Sequence, residues 1–140
     1  MSQGRTESPL ERRREVVAQV TPARWRVARH PEAVKERNAI NDAAERVAVA
    51  HVIEKLEVDG PTLRSPHQSG LMGGEGSGLR ELRPRRGRSR WRPIYRRTEE
   101  RLFAILAVGP EAEIDNAGYA KAVRLAKQRL RRLEKGRKTE

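Results

Sequence analysis

The sequence predicts an α+β fold: a twisted, mostly antiparallel sheet of about four strands, with an N-terminal helix or helix pair and a C-terminal helix. Residues 78–108 contain three short runs of aliphatic, aromatic and β-branched residues, separated by turn residues, which is typical of a β-meander. Residues 31–58 and 115–135 repeat apolar residues at three- and four-residue steps, which is typical of amphipathic helices. Residues 111–116 are expected to form an acidic turn or a short helix, in which Asp115 can cap the second of these helices. The sheet and the two helical segments together define the fold class.

The meander contributes three of the predicted strands. Residues 78–83 form the first, residues 91–96 the second and residues 102–108 the third, with a basic turn at 84–90 and a polar turn at 98–100. Only the third strand is apolar on both faces, so we expect it to be central and buried. The first two strands and their turn carry arginines that a sheet has little reason to hold unless it binds a polyanion.

The elements before the meander complete the prediction. Residues 25–28 read as a short strand with Trp25 and Val27 facing the core. The helical pattern of 31–58 ends at Asp59-Gly60-Pro61, and a break near 38–41 would leave two helices. His51 lies beside the apolar stripe and is expected at the edge of the core, and residues 61–77 are expected to be a flexible loop. The predicted stripe of this helix consists of Ile40, Ala43, Val47, Ala50, Ile53 and Leu56.

Charge is concentrated in two segments of this 140-residue chain, whose formal net charge is +12. Residues 80–97 hold nine arginines and one glutamate, and residues 121–138 hold nine basic residues and one glutamate. Such a footprint suits nucleic-acid phosphates, with salt-dependent affinity. Solubility or an acidic protein partner is the alternative explanation.

Composition excludes several classes of protein. Without cysteine, the chain has no disulfide framework, thiolate nucleophile or zinc–cysteine site. It shows no apolar run of spanning length and no signal-peptide pattern, so a cytoplasmic location is expected. We expect one domain at 22–135, an N-terminal appendage at 1–21 that is helical or partly disordered, and a flexible tail at 136–140.

Several short motifs, in order, give the chain a family resemblance. It resembles the toxins of type II toxin–antitoxin systems in the RelE/ParE superfamily, most closely the HigB-like (phage Gp49-like) branch. The resemblance covers residues 24–134. The residues that carry it are the helix end at 56–60, the loop at 61–66, the Gly-Leu-Arg-Glu-Leu-Arg strand at 78–83, the Arg-Pro-Ile-Tyr-Arg strand at 92–96, the apolar strand at 102–108, and Ala122 and Ala126 of the last helix.

The resemblance implies an activity and partners. Many members are ribosome-dependent endoribonucleases of messenger RNA that inhibit translation, without a metal or cofactor, by attack of a ribose 2′-hydroxyl on the adjacent phosphate. The ParE side instead poisons DNA gyrase. A cognate antitoxin, often with a helix-turn-helix domain (HigA-like), silences the toxin. The alternative function is therefore a non-enzymatic gyrase inhibitor or a basic RNA-binding domain.

In-line phosphoryl transfer needs fixed positive charge where the oxyanion forms, and arginines of the meander are the candidates. Arg92 and Arg96 share a strand face because they are four residues apart, and Arg83 can join them if the register permits. Glu81 lies on the same face as Arg83, where it acts as a base or, more simply, pairs with an arginine. The predicted catalytic residues are therefore Arg83, Arg92, Arg96 and Glu81, with no metal site.

RNA contacts are predicted around these residues, at Arg80, Arg85, Arg86, Arg88, Arg90, Trp91, Tyr95 and Lys121. Tyr95 has the opposite strand parity to Arg92, so it is either a core residue, which we favour, or a base-stacking ring. RNA-cleaving relatives commonly carry His, Tyr or Lys just after the last strand or near the C-terminus. Here residues 109–113 lack one, and Tyr119 and Lys121 are the nearest substitutes, although Tyr119 is better explained as core. His67 in the loop is expected to be structural.

Overall fold

The sheet has five strands rather than four. The computed structural model describes residues 25–71 and 77–139, so the predicted appendage at 1–21 lies outside the described residues. The strands are β1 (Arg26–Arg29), β2 (Gln68–Gly70), β3 (Arg80–Leu82), β4 (Trp91–Glu99) and β5 (Leu102–Pro110), in the spatial order β1-β5-β4-β3-β2. The additional strand, β2, lies in the segment predicted to be a loop. Its three residues, Gln-Ser-Gly, carry no apolar alternation that a sequence pattern could detect.

Strand β5 is buried on both faces, as its composition predicts. Phe103 and Ile105 pack into one core, whereas Ala104 and Leu106 pack into a second core on the other face of the sheet. β1 pairs with β5 in parallel, and all other pairs are antiparallel. The middle position of the sheet is occupied by β4, so β5 is an interior strand but not the central one.

The predicted break in the first helical segment is real. Helix α1 (Pro31–Asn38) ends before a short connection, and helix α2 (Ala43–Asp59) begins after it. Asp42 caps α2, because its Oδ1 accepts a hydrogen bond from the backbone N–H of Ala44 at 2.8 Å. Gly60 ends α2 with φ +54°, and the Trp25 indole packs so closely over it that a Cβ there would clash.

The buried face of α2 differs from the predicted stripe. Ala48, Val49, Val52, Ile53 and Leu56 are its buried residues. Val47 is 52% exposed, and Ala43 is also exposed, so both were assigned to the wrong side. His51 is exposed rather than at the core edge. Because α2 is rich in small apolar residues nearly all round, its spacing alone did not identify the buried side.

The C-terminal helix, α3 (Asn116–Thr139), covers the other face of the sheet. It continues past the expected end near Lys135. Its Asp115 cap is confirmed: Oδ1 accepts a hydrogen bond from the Gly118 N–H at 2.9 Å. Within residues 25–71 and 77–139, every helix is too short or too polar to span a membrane. The buried residues of α3 include Tyr119, Ala122, Val123, Ala126 and Leu130.

An ion pair joins α1 to α3 across the part of β5 that β1 leaves uncovered. Arg129 Nη2 lies 2.7 Å from Glu36 Oε2. Glu36 Oε1 accepts a hydrogen bond from the Val108 N–H at 2.9 Å, and Arg129 Nη1 donates one to the Leu106 carbonyl at 2.8 Å. These two side chains therefore satisfy strand groups that would otherwise be unpaired, and they fix both helical layers against the sheet.

Candidate active site

A small cleft opens where β2, β3 and β4 meet the loop after β5 and the start of α3. Its volume is about 180 Å³. Three of the four predicted catalytic residues line it, together with two residues of β2, three residues of the segment after β5 and one residue of α3. The lining residues are Ser69, Gly70, Glu81, Arg83, Arg92, Glu111, Ala112, Glu113 and Tyr119.

Glu81 and Tyr119 form a hydrogen-bonded pair in this cleft. The Tyr119 hydroxyl donates to Glu81 Oε1 at 2.7 Å, and the two residues are 4% and 8% exposed, respectively. Glu81 faces α3 because β3 pairs it with Ile94, which lies in the core under that helix. The pair therefore places a carboxylate and a phenol hydroxyl, which can accept and donate a proton, within the same cleft.

Arg92 is buried beneath the cleft and is held by two carboxylates. Its side chain is 1% exposed, its Nε lies 3.2 Å from Glu81 Oε2, and its Nη2 lies 2.6 Å from Glu111 Oε2. It also donates to the backbone carbonyls of Ser89 at 2.5 Å and Gly87 at 3.3 Å. Burial lowers the pKa of the Arg92 guanidinium, and the carboxylates of Glu111 and Glu81 act in the opposite direction.

The structure therefore gives no support to a direct contact between Arg92 and phosphate. A guanidinium whose donors already meet two carboxylates and backbone carbonyls, at 1% exposure, has no face left for a ligand. The alternation of side chains along the strand placed Arg92 on the correct face of the sheet, but it did not predict how deeply the side chain is buried. Its role in this structure is to position Glu81 and Glu111.

Arg83 lies closer to the cleft opening than Arg92. Its side chain is 37% exposed, and its Nε lies 3.8 Å from Glu81 Oε2, which is an ion-pair distance but too long for a hydrogen bond. Among the buried side-chain nitrogen and oxygen atoms of the described residues, Arg83 Nε is the one without a hydrogen-bond partner. A hydrogen bond to an acceptor, such as a phosphate oxygen, would therefore stabilise this buried donor.

Arg96 does not join the other two arginines. Its Nη1 lies 3.3 Å from Glu134 Oε2 near the end of α3, and its guanidinium covers Gly78. Arg92 and Arg96 do share the α3 face, but four residues of strand separate them by about 13 Å. The predicted convergence of three arginines is therefore reduced to Arg83 and Arg92 around Glu81.

The cleft is not the strongly cationic site that the sequence suggested. Its two arginines face the carboxylates of Glu81, Glu111 and Glu113. The positive charge of the meander is instead presented by the exposed side chains outside the cleft. Within the described part of the chain, no cluster of three histidine or carboxylate residues is close enough to hold a metal ion.

The predicted RNA-binding residues divide into three groups. Tyr95 is buried against Phe103 at 4% exposure, and burial raises its pKa, so it belongs to the core as favoured and is not a stacking surface. Trp91 is partly buried, with the Arg90 guanidinium 6.0 Å from its ring centre. The exposed cations are Arg80, Arg85, Arg86, Arg88, Arg90 and Lys121.

Four of these arginines, Arg85, Arg86, Arg88 and Arg90, belong to the turn between β3 and β4. This turn begins with a 3₁₀ segment, Pro84–Gly87, that packs against α2. Arg80, by contrast, donates from Nε to Gln68 Oε1 at 2.6 Å across the β2–β3 pair. Lys121 is on the exposed side of α3. The cationic side chains therefore do not form one surface, and those of the turn lie on the α2 side of the sheet.

Sequence reasoning missed two members of the cleft. Tyr119 was interpreted as core because it opens the apolar stripe of α3, and its ring is indeed buried. The position of its hydroxyl depends on where α3 crosses the sheet, which no local pattern encodes. Glu111 was read only as part of an acidic turn. Its position directly after β5 was the available signal, because residues at strand ends often line sites.

Comparisons with known proteins agree with this architecture. The sequence pattern of the family described as "Phage derived protein Gp49-like (DUF891)" matches residues 40–131. A solved structure of the E. coli toxin RelE, a mutant in the free state, is similar with a TM-score of 0.50 and 18% sequence identity, over 71% of this chain and 95% of that chain. No curated protein sequence matches the chain significantly. The structural likeness shows a RelE-like fold, and the family match covers most of the chain. The chain therefore belongs to the phage-derived Gp49-like family.

Proposed function

We propose that this toxin cleaves messenger RNA on the ribosome, with the cleft around Glu81 as its active site. The observation that carries the proposal is the unsatisfied Arg83 Nε beside the Tyr119–Glu81 pair. A cation with a free donor next to a proton acceptor and a proton donor is the set of groups that RNA cleavage by an internal hydroxyl requires. The match to the Gp49-like family and the RelE-like fold support the same activity.

In this reaction the ribose 2′-oxygen attacks the adjacent phosphorus, and the bond from phosphorus to the 5′-oxygen breaks. Glu81 takes the proton from the 2′-hydroxyl, and Tyr119 gives a proton to the departing 5′-oxygen. The products are a 2′,3′-cyclic phosphate and a 5′-hydroxyl. The proton on Glu81 then returns to the Tyr119 oxygen along their 2.7 Å hydrogen bond, which restores both groups.

Arg83 supplies the charge that the phosphorane needs. Its guanidinium offers donors in a planar fork that matches two phosphate oxygens. Arg92 holds Glu81 in place from below, so it acts as a positioning residue. Arg96 acts further away, by tying β4 to α3 through Glu134.

The exposed cations Arg80 and Lys121 extend the site toward messenger and ribosomal RNA. Each is exposed, and neither is buried in the cores on either face of the sheet. Phosphate contacts from such side chains position RNA and make binding salt-dependent. A helix-turn-helix antitoxin of the HigA-like kind is the protein expected to silence the toxin.

A translation reaction tests the proposal. We expect purified protein to produce new 5′ ends inside translated messages, because the cleft acts on RNA held by the ribosome. The 5′ ends are mapped with and without an inhibitor of translation initiation. We expect the new ends to carry 5′-hydroxyls and to be absent from messages that are not translated. Intact messages in a reaction where added protein leaves translation running would end this proposal.

A gyrase inhibitor is the second candidate, and one observation favours it. The carboxylates of Glu81, Glu111 and Glu113 offset the arginines of the cleft, which is unfavourable for a polyanion. A supercoiling assay distinguishes the two functions. Inhibition of gyrase at protein concentrations that leave messages uncut would support this candidate and contradict the nuclease.

A further inference from the structure

A groove runs along the outer face of α2, where the basic turn of residues 84–88 lies beside that helix. It encloses about 650 Å³. One wall is the exposed side of α2, and the other consists of His67 and the arginines of the turn. None of the groups assigned to catalysis lines it.

The floor of the groove is small and apolar. Ala44, Val47 and Ala48 are three and four residues apart, so they form one stripe on α2. Val47 is 52% exposed and is one of three large apolar side chains exposed among the described residues. Small side chains at a helix surface allow a second helix to approach closely. The stripe therefore has the shape of a helix-packing surface without an occupant.

The rim of the groove is cationic and largely unpaired. Lys55, Arg86 and Arg88 line it, and among the described residues no carboxylate lies within ion-pair distance of them. Arg85 is the exception, because its Nη1 lies 3.1 Å from Glu45 Oε2. An occupant that brings carboxylates to this rim would meet charges that the fold itself leaves uncompensated.

The arginine side of the rim is held in a fixed conformation. Arg85 and Arg86 both have left-handed backbones, with φ of 54° and 58°, which is uncommon for residues other than glycine. Glu45 holds the turn to α2, since it pairs with Arg85 and accepts a hydrogen bond from Ser89 Oγ at 2.5 Å. The backbone that carries these cations is therefore already ordered before a partner binds.

We propose that this groove binds an acidic amphipathic helix of a protein partner. The apolar side of that helix would pack on Val47 and the alanines beside it, and its carboxylates would meet Lys55, Arg86 and Arg88. From Ala44 to Lys55, α2 rises about 16 Å, so the bound segment has about three turns. The inference rests on the proposed function in one respect: a toxin needs a protein that silences it.

RNA fits this groove less well. The residues that line it include no phenylalanine, tyrosine or tryptophan, so a base would have to stack on His51, His67 or an arginine. An apolar floor with a charged rim is instead the pattern of helix-in-groove recognition. Nucleic acid is therefore the competing occupant that the experiment has to distinguish.

The probe is a fluorescein-labelled 14-residue peptide of leucine, alanine and glutamate, designed as an amphipathic helix. A peptide of the same composition in scrambled order and a labelled 14-nucleotide single-stranded RNA are run beside it. Binding to the full chain is measured by fluorescence anisotropy. We expect the amphipathic peptide to bind at least tenfold more tightly than the scrambled one. Val47→Asp and Arg86→Glu should each weaken its binding at least tenfold.

Arg124→Glu is the matched control, because it reverses one exposed charge on α3, away from the groove. We expect it to change the peptide affinity by less than twofold, and thermal unfolding verifies that each variant is folded. Equal affinity for the two peptides would overturn the proposal. RNA binding that Val47→Asp and Arg86→Glu abolish, without peptide binding, would overturn it in favour of nucleic acid.

Message cleavage is measured on the same variants to separate this inference from the proposed function. Wild-type cleavage without peptide binding would contradict only the groove. Peptide binding at the groove by a protein that does not cut messages would contradict only the nuclease.

Discussion

Replacing Arg92 with alanine is expected to lower the free energy of unfolding by about 3–5 kcal/mol. The substitution leaves Glu81 and Glu111, whose side chains are 10% and 23% exposed, without their shared cation. It also leaves the Ser89 carbonyl without its donor. Chemical denaturation followed by circular dichroism measures the change, provided that unfolding is two-state.

Arg90→Ala is the control for this prediction. Arg90 precedes β4, is exposed and places its guanidinium over the Trp91 ring at 6.0 Å from the ring centre, so its loss should change stability by no more than about 0.5 kcal/mol. If Arg92→Ala were as stable as Arg90→Ala, the ion pairs beneath the cleft would not be structural. Any loss of activity in Arg92→Ala has to be corrected for the unfolded fraction before it is assigned to chemistry.

Replacing Tyr119 with phenylalanine is expected to slow message cleavage by about 100-fold or more, which is typical when a general acid is removed. The ring remains packed between α3 and the sheet, and only the hydroxyl that donates to Glu81 is lost. The rate at which a translated message disappears, at matched concentrations of folded protein, is the measurement.

Tyr95→Phe is a matched control for the Tyr119 variant. It also removes one phenol hydroxyl from a ring that is 4% exposed, but on the opposite face of the sheet. We expect it to cleave at nearly the wild-type rate. Cleavage by Tyr119→Phe at the same rate as Tyr95→Phe would show that the Tyr119 hydroxyl takes no part in the reaction.

The fold could be predicted from the sequence where a local pattern coincides with burial. The doubly apolar β5, the break before α2 and the cap at Asp115 were all predicted, because strand composition and helix capping are short-range properties. Strand β2 was missed, since three polar residues beside a glycine-rich loop carry no period. The buried side of α2 was misassigned because alanine and valine lie nearly all round that helix.

The candidate site was predicted only in outline. Strand parity placed Glu81 with Arg83 on one face and Arg92 with Arg96 on one face, but parity does not predict how deeply a side chain is buried. Arg92 lies below the surface because α3 and the loop after β5 close over it, which brings Glu111 and Tyr119 to the cleft. These contacts join segments that are far apart in sequence, so no local pattern predicts them. Because of them, we assign Arg92 a positioning role and not a direct contact with phosphate.

The most direct test of the proposed active site is the cleavage rate of Arg83→Ala on one ribosome-bound message. Arg83 has the unsatisfied donor in the cleft, so we expect its loss to slow cleavage by about 100-fold, with wild-type ribosome binding. Arg101→Ala, an exposed arginine over Trp25, should cleave normally. Cleavage by Arg83→Ala at the wild-type rate would contradict the assignment of this cleft as the place where the phosphodiester is broken.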